Sequence, residues 1–565
     1  MTEDNKEAPK YWFNTIVSFF FLFLLRVILC FYYVIDDCDE SMNYYEPLHL
    51  LLYKYGLQTW EYSPEYGLRS YFYLLLHTPL AFLAKTIFNN KMAVFQSVQI
   101  TLAIVSSICD VLLCRAVEKG TKSYSFARNL FFLILVNPLQ HRAAISFLPS
   151  SFAMYCVTLA ATGLLTDQPL VVPFLTSLSV IMGWPFSGLV FVPMCLTILP
   201  IAYKHKSFWL LIRFTLVTIV STISLSMVLI MVDSTYFKRG VLAPLNIVLY
   251  NVLSEGKGPE LYGIEPMSYY IKNLALNLGP IAVLLLLGIF MLLVFVLQRR
   301  KLEGKLSIVA IAASAAVWFL FMMLQPHKEE RFMYPTLGLF SLIAAFGLTY
   351  VTVVIGFFKQ VIIWGVRFVF IIALIFFLSR WLAIYDNHSA INSAYGAVRR
   401  EMTLHEYLPT PDGSINVCTG KEWYRFPTHF ALPSEYKGIP VRLRWIESGF
   451  DGLLPAYFPD GETVKDITST IPKHMNDENL FEPTRITSIE HCHFIVESEV
   501  PDQSENSLID EIGKQYRLVK IHWGVSLEKT PLIHRVLWFP GRKAFRIPYF
   551  ALVNEELIKP QYTVG

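Results

Sequence analysis

The chain has 565 residues, of which 54% are hydrophobic, 15% are aromatic and only 16% are charged. An ordinary soluble domain carries about 25% charged residues, so this composition predicts an integral membrane protein. The net charge of +3 is small and forms no basic stripe, so nucleic acid is not expected as a partner. The eight cysteines show no metal-ligand spacing, and they leave a single Cys418–Cys492 bridge as an open option.

Apolar runs close to the ~20 residues that cross a bilayer recur along the first two thirds of the chain, and they predict about ten to twelve transmembrane helices. The strong runs lie at 14–35, 92–113, 129–145, 207–232, 279–298, 306–325, 333–355 and 361–380, and weaker ones at 71–88 and 147–203. The first run lacks a small-residue cleavage site, so we expect it to remain as an anchor.

Loop charges predict the orientation, because short loops rich in Lys and Arg prefer the cytosol. Loops 115–128, 204–213 and 299–305 are of this kind. The opposite, luminal side then receives the loops 36–70, 233–278 and 326–331 and everything after Arg380. If both 71–88 and 92–113 cross the membrane, loop 115–128 falls on the wrong side, so we predict a re-entrant half-helix before residue 203.

After Arg380 no run of about 18 apolar residues returns, so the chain divides into a membrane domain, 1–380, and a soluble luminal domain, 381–565. Strand-like pieces such as "HCHFIVESEV" and "YRLVKIHWGVSL" predict a mixed α/β fold for the second domain. Asn387-His388-Ser389 matches the acceptor pattern for N-glycosylation.

The first functional candidate is the acidic segment that follows the first run, where Asp36, Asp37, Asp39 and Glu40 stand together. Asp37-Cys38-Asp39 has the spacing of a metal-binding Asp-X-Asp, which is a weak signal by itself. These acids could also end a helix and face water. The Tyr and Trp residues up to Tyr71 suit either sugar stacking or a membrane interface.

A second cluster, His327 to Arg331, places five ionisable residues between two apolar runs. Charges at that depth usually line a pocket or a water-filled path, although a solvated luminal turn would also accommodate them. Loop 233–278 mixes Tyr, Asn, Gly and Pro, a composition that suits either a polar, ring-bearing ligand or an interfacial helix and turn.

These segments resemble the dolichyl-phosphate-mannose-dependent mannosyltransferases, especially the members that form alpha-1,2 linkages in asparagine-linked glycosylation. The residues that carry the resemblance are "DCDESMNYYEPLHLLLYKYGLQTWEYSPEYGLRSY", "GWPF" at 183–186, "GPELYGIEP" at 258–266, "HKEERFMYP" at 327–335 and "CTGKEWYRFP" at 418–427. The resemblance runs from about residue 30 into the C-terminal domain.

The resemblance implies a multi-spanning all-α membrane protein of the GT-C glycosyltransferase fold, located in the endoplasmic reticulum with a luminal active site. Dolichyl phosphate mannose is the implied donor, and a dolichyl-diphosphate-linked oligosaccharide is the implied acceptor. The family is regarded as metal-independent and uses no cofactor. Its reaction inverts the anomeric carbon, which requires one carboxylate base and cations on the departing phosphate.

Candidate roles follow from this resemblance. Asp39 is our first choice for the base, with Glu40 and Asp37 as alternatives. The candidates for the donor phosphate are Arg69, His327, Lys328 and Arg331, supported by Glu329 and Glu330. The candidates for sugar or acceptor contact are Trp60, Tyr62, Tyr262 and Glu265.

Other functions remain open from the sequence. A sister enzyme that makes alpha-1,6 or glycolipid-anchor linkages would share "HKEERF" and the "TWEY" to "RS" segment. A secondary transporter would also combine many spans with ions at membrane depth, but it needs two corresponding halves, and the sequence has no internal repeat. A noncatalytic assembly subunit is a third alternative.

Overall fold

A computed structural model of the chain describes residues 13–253, 261, 263–354, 359–425, 428–498 and 515–560. Nineteen α-helices are described, and they dominate the fold up to Met402. They are α1 Thr15–Phe31, α2 Glu46–Tyr53, α3 Tyr71–Ile87, α4 Lys91–Thr121, α5 Tyr124–Leu135, α6 Pro138–Ile145, α7 Pro149–Leu165, α8 Val171–Leu178, α9 Gly188–Leu196, α10 Ile198–Lys204, α11 Phe208–Phe237, α12 Ala243–Leu253, α13 Tyr269–Leu278, α14 Pro280–Leu297, α15 Lys305–Leu324, α16 Leu337–Val354, α17 Lys359–Met402, α18 Val464–Ser469 and α19 Leu532–Val536.

Seven described helical segments are long and apolar enough to cross a membrane, which confirms a multi-spanning protein. They are Lys91–Thr121, Pro185–Lys204, Phe208–Phe237, Pro280–Leu297, Lys305–Leu324, Glu330–Val351 and Trp364–Met402. The sequence-derived number of spans is reached only if shorter apolar helices, such as α1 and α5, are counted as well.

Helices α6 and α7 form a bent pair, with 110° between them across a short break. Pro149 begins α7, which is a position where the missing proline N–H costs no helical hydrogen bond. A broken span and a re-entrant loop share this geometry. The break lies within the region before residue 203 where the loop charges predict a re-entrant segment.

The chain divides into two compact units that are each discontinuous in sequence. The first unit contains residues 1–29, 102–226 and 264–377. The second contains 30–101, 227–263 and 378–565, and therefore joins the acidic segment to the C-terminal part of the chain.

The C-terminal part contains a six-stranded mixed sheet with the order β3-β4-β2-β6-β8-β7. Its strands are β2 Ile415–Thr419, β3 Glu435–Tyr436, β4 Ile439–Trp445, β6 Phe494–Ser498, β7 Tyr516–Val525 and β8 Arg546–Asn554. Strand β2 is buried throughout and runs parallel to both β4 and β6. Two short strands, β1 Leu57–Gln58 and β5 Ala456–Tyr457, pair separately in antiparallel fashion. The strand predictions for "HCHFIVESEV" and "YRLVKIHWGVSL" are confirmed.

A disulfide bond joins Cys418 in β2 to Cys492 just before β6, with 5.8 Å between the two Cα atoms. Both cysteines are fully buried in a cluster with Ile446, Ile495 and Phe550. The bridge closes a sequence separation of 74 residues, which restricts the unfolded chain and so favours the fold.

Helix α17 continues past residue 381, where the sequence predicts the soluble domain to begin, and ends only at Met402. Asn387 therefore lies on a helix instead of in a loop. Its side chain is only 3% exposed, and its Nδ2 donates a hydrogen bond to the carbonyl oxygen of Arg535 at 2.8 Å. The Asn387 sequence pattern is thus not accessible for glycosylation in this structure.

Candidate active site

The acidic segment leaves the first helix and enters a π-helical turn, Glu40–Tyr45. Such turns are rare and often occur at functional sites. Glu40 is fully buried, and its Oε2 accepts a hydrogen bond of 2.6 Å from the hydroxyl of Tyr33. Asp39 precedes this turn with a side chain that is 25% exposed. One of two neighbouring carboxylates is therefore enclosed and the other remains accessible.

Asp39 lies beside Arg69, with 3.4 Å between Oδ2 and Nη2. The same guanidinium contacts Glu61 Oε1 at 2.8 Å and donates from Nη1 to the hydroxyl of Tyr44 at 2.9 Å. Burial alone would lower the pKa of Arg69, but Glu61, Tyr44 and Asp39 raise it well above its ordinary value. Arg69 is therefore a fixed cation next to Asp39.

Asn43 holds the "TWEY" segment against the π-helical turn. Its side chain donates to Glu61 and accepts from Thr59, while its backbone carbonyl accepts from the Tyr62 hydroxyl at 2.8 Å. Glu61 is therefore oriented toward Arg69 by a buried amide. Neither Asn43 nor Glu61 is among the site residues predicted from the sequence, although both stand in the motifs that carry the resemblance.

The position of Arg69 is fixed from the other side by the start of α3. Ser70 caps this helix by accepting from the backbone N–H of Phe72 at 3.1 Å. Asp233 is fully buried and accepts from the same N–H at 3.0 Å and from the Ser70 hydroxyl at 3.1 Å. Two acceptors at a helix N-terminus satisfy otherwise unpaired donors, which fixes the backbone one residue after Arg69.

The possible ligand atoms of Asp37, Cys38 and Asp39 lie within 4.8 Å of one another. The backbone N–H of Asp39 also donates to Asp37 Oδ1 at 3.0 Å. Exposed acidic groups often cluster in this way without an ion. The metal-independence that the resemblance implies therefore stays a prediction.

Two of the predicted sugar-contact residues belong to the core instead. Trp60 is 8% exposed and packs in a cluster with Leu68, Leu453 and Met475. Tyr62 is fully buried. Side chains buried to this extent leave little ring surface on which a sugar could stack. The dense aromatic pattern reflects packing here.

The second cluster lies in the other compact unit and is centred on Glu329. Its Oε1 lies 2.8 Å from His327 Nε2, and its Oε2 lies 2.6 Å from Arg331 Nε. One carboxylate thus contacts two potential cations, and the supporting role of Glu329 at a donor phosphate stays a prediction.

Glu330 contacts a different cation, Arg142, which is not among the site residues predicted from the sequence. Its Oε1 lies 3.2 Å from Arg142 Nη1, and its Oε2 accepts from the side chains of Asn273 and Asn277 at 3.0 and 2.8 Å. Arg142 lies in the short helix α6, within the apolar run 129–145, so charge at membrane depth was a signal that could have found it.

Lys328 does not fit the predicted phosphate-binding role. It is only 5% exposed, and its ammonium donates to the backbone carbonyls of Glu265, at 2.7 Å, and Gln325. The amine therefore connects two segments of backbone. Glu265 has an exposed side chain, while its backbone is fixed by Lys328. Tyr262 lies outside the described residues.

The "GWPF" segment supports this cluster through aromatic packing. The ring of Trp184 lies 5.1 Å from that of Phe332 and 5.3 Å from that of Trp318. The indole N–H of Trp318 donates to the carbonyl oxygen of Phe332 at 2.8 Å. The turn that carries Arg331 is therefore fixed by large side chains whose polar group is satisfied.

A buried pair anchors the acidic segment within its own unit. Glu46 Oε2 lies 2.8 Å from His429 Nδ1, and both side chains are fully buried. Glu46 also accepts from the backbone N–H groups of Leu57 and His429. Burial lowers the pKa of His429 below its ordinary value, and the Glu46 carboxylate offsets this shift only in part. A carboxylate can only accept, so Nδ1 carries the proton of the neutral imidazole.

The described fold is shared with a solved bacterial structure, ArnT from Cupriavidus metallidurans bound to undecaprenyl phosphate. The TM-score is 0.52 at 12% sequence identity, covering 97% of this chain and 99% of that one. The fold class is that of the multi-spanning GT-C glycosyltransferases.

The model of the Alg9-like mannosyltransferase family matches residues 17–433, and the chain belongs to this family. The alpha-1,2-mannosyltransferase ALG9 of Mus musculus is 35% identical over 93% of this chain and 86% of its own length. Its namesake from Schizosaccharomyces pombe is 36% identical over 94% of this chain and 92% of its own length. The protein is a membrane-spanning mannosyltransferase.

Proposed function

We propose that the protein transfers mannose from dolichyl phosphate mannose to a dolichyl-diphosphate-linked oligosaccharide and forms alpha-1,2 linkages. We place this reaction on the luminal side of the endoplasmic reticulum membrane. The observation that carries the proposal is an accessible carboxylate, Asp39, fixed 3.4 Å from the guanidinium of Arg69. Family membership and the alpha-1,2 relatives support the linkage.

The proposed reaction is a single displacement. The 2-hydroxyl oxygen of the acceptor mannose forms a bond to the anomeric carbon of the donor sugar, while the bond from that carbon to the phosphate oxygen breaks. Asp39 takes the hydroxyl proton, and dolichyl phosphate leaves with the electron pair. One displacement inverts the beta-linked donor to an alpha-linked product, and a positioned base assists it.

Burial sets aside one of the three candidate bases, and the contact with Arg69 ranks the other two. Glu40 is fully enclosed and bound to Tyr33, so it cannot reach an acceptor hydroxyl, and we assign it a supporting role. Asp37 and Asp39 are both partly exposed. Asp39 is favoured because its neighbour Arg69 stabilises the ionised form that a base requires.

The cations have separate roles in this proposal. Arg69 lies 3.4 Å from the proposed base and would stabilise charge that develops on the departing phosphate. His327 and Arg331 stay candidates for phosphate binding, each oriented by Glu329. Lys328 is removed from this list because its amine is committed to backbone carbonyls.

The luminal location is supported by the disulfide bond between Cys418 and Cys492. Disulfides form in oxidising compartments such as the lumen of the endoplasmic reticulum and are rare in the cytosol. Loop 36–70 has only two basic residues, Lys54 and Arg69, which agrees with the same side of the membrane.

The test is transfer of radiolabelled mannose by the purified protein from synthetic dolichyl phosphate mannose to a lipid-linked oligosaccharide, with a chelator present. We expect a product that an alpha-1,2-specific mannosidase cleaves. Product resistant to that enzyme would instead support an alpha-1,6 or glycolipid-anchor activity. The matched control is Glu65→Gln, which removes an exposed acid from the same segment and should leave transfer unchanged.

A further inference from the structure

A cavity of about 370 Å³ opens in the unit that carries the acidic segment. One wall is the stretch 31–34, which leads into that segment, and another is a single face of α17. Residues at spacings of three and four, such as Ser389, Asn392 and Gly396, share this face. His522 of β7 also lines the cavity.

The cavity combines an aromatic rim with positive charge. Phe31, Tyr32 and Tyr385 are 58%, 50% and 40% exposed, and aromatic side chains of this kind are typical of a membrane interface. Arg399 and Arg400 line the same cavity. Apolar rings beside paired guanidinium groups suit an amphiphile that has an anionic headgroup.

Two buried polar atoms at the cavity have no hydrogen-bond partner within the described part of the chain, namely Asn392 Oδ1 and His522 Nε2. A buried polar group without a partner is costly and commonly indicates a missing ligand or solvent. The Asn392 side chain also carries an NH₂ donor, and His522 Nε2 can donate to an anion when it holds the ring proton. Arg399 is held by a hydrogen bond of 2.7 Å to the carbonyl oxygen of Ala431 and keeps further N–H donors for a ligand.

We propose that this cavity binds the diphosphate headgroup of the prenyl lipid that carries the acceptor oligosaccharide, an inference that rests on the proposed function. The reaction uses two lipid substrates, and each presents an anionic headgroup near the membrane surface. Paired arginines match the two negative charges of a diphosphate diester.

The position of the cavity favours the acceptor over the donor. Tyr33 lines the cavity and also binds Glu40, so the cavity adjoins the acidic segment. However, neither Asp37, Asp39 nor Arg69 belongs to its described lining. The donor phosphate is bonded directly to the reacting carbon and has to lie at the base. The acceptor diphosphate is separated from the reacting hydroxyl by the oligosaccharide.

Binding to the purified full-length protein tests the inference without turnover. The probes are citronellyl diphosphate, citronellyl monophosphate and inorganic diphosphate, and the variants are Arg400→Gln and Asn392→Leu. Arg400→Gln should weaken binding of the prenyl diphosphate by about tenfold, as expected for one charge-assisted hydrogen bond. Asn392→Leu should weaken it as well, because leucine occupies the cavity without a donor. Monophosphate binding should not change.

Lys543→Gln is the matched control, since it removes one exposed positive charge away from the cavity and should bind every probe as the wild type does. Wild-type affinity for the prenyl diphosphate in both cavity variants would overturn the inference. It would also fail if inorganic diphosphate bound as tightly as the prenyl probe, or if phosphatidylserine vesicles displaced the probe.

Steady-state transfer gives an independent readout. Arg400→Gln should raise the KM for the lipid-linked oligosaccharide and leave kcat and the donor KM unchanged. A change confined to the donor KM would contradict the assignment. If the wild type shows no mannose transfer, the proposed function fails, whereas the binding assay still decides whether the cavity takes a prenyl diphosphate.

Discussion

The buried Glu46–His429 pair should control the stability of the unit that carries Asp39. Glu46 Oε2 accepts from the N–H of Leu57 at 2.9 Å and from His429 Nδ1 at 2.8 Å, and Oε1 accepts from the N–H of His429 at 2.6 Å. Glu46→Gln replaces one oxygen by an NH₂ group, so at least one buried donor then faces another donor. One such unsatisfied group costs about 1–3 kcal/mol of the free energy of unfolding.

Thermal unfolding of the purified protein in detergent, followed by tryptophan fluorescence, measures this cost. The control is Glu406→Gln, which removes an exposed ion pair with Lys437 and should have little effect, because solvent screens such pairs. An unfolding temperature of Glu46→Gln equal to that of the wild type would refute the role of this pair.

Three further predictions use other contacts. Arg69→Lys keeps the charge but cannot bridge Glu61 and Tyr44 with one nitrogen, so kcat should fall by about tenfold or more; wild-type kcat would contradict this. Burial, and then the Glu422 carboxylate, raise the pKa of Glu497 to about 8. The wild type should therefore lose stability as the pH rises from about 5 to about 8. The unfolding temperature of Glu497→Gln minus that of the wild type should increase over the same range; a difference that does not change with pH would refute the shift. Because Asn387 is buried, peptide N-glycosidase should not change the electrophoretic mobility of the protein; a shift that Asn387→Gln abolishes would contradict the structure.

Local sequence patterns were sufficient for several features. Long apolar runs predict membrane helices because each helix satisfies its own backbone hydrogen bonds in lipid. Alternating residues predicted the β6 and β7 strands. Charge between apolar runs identified the segment from His327 to Arg331, and the structure shows Glu329 holding two of its cations.

Contacts between distant residues could not be predicted in this way. Glu46 and His429 are 383 positions apart, and no local pattern pairs them. The aromatic residues near Trp60 have the composition of a sugar-binding surface, yet the fold buries them. Lys328 stands among charged residues, but only the backbone geometry shows that it binds two carbonyl groups. The burial of a side chain depends on contacts with distant parts of the chain, so it cannot be predicted from the local sequence.

The assignment of Asp39 as the base is tested most directly by mannose transfer by Asp39→Asn, Asp37→Asn and the wild type at saturating donor and acceptor. Loss of a positioned base predicts that kcat of Asp39→Asn falls by about 10²–10⁴-fold, while the unfolding temperature and donor binding stay near those of the wild type. Asp37→Asn should keep most of its activity. Near-normal kcat in Asp39→Asn, together with an inactive Asp37→Asn, would show that Asp39 is not the base and assign the proton transfer to Asp37.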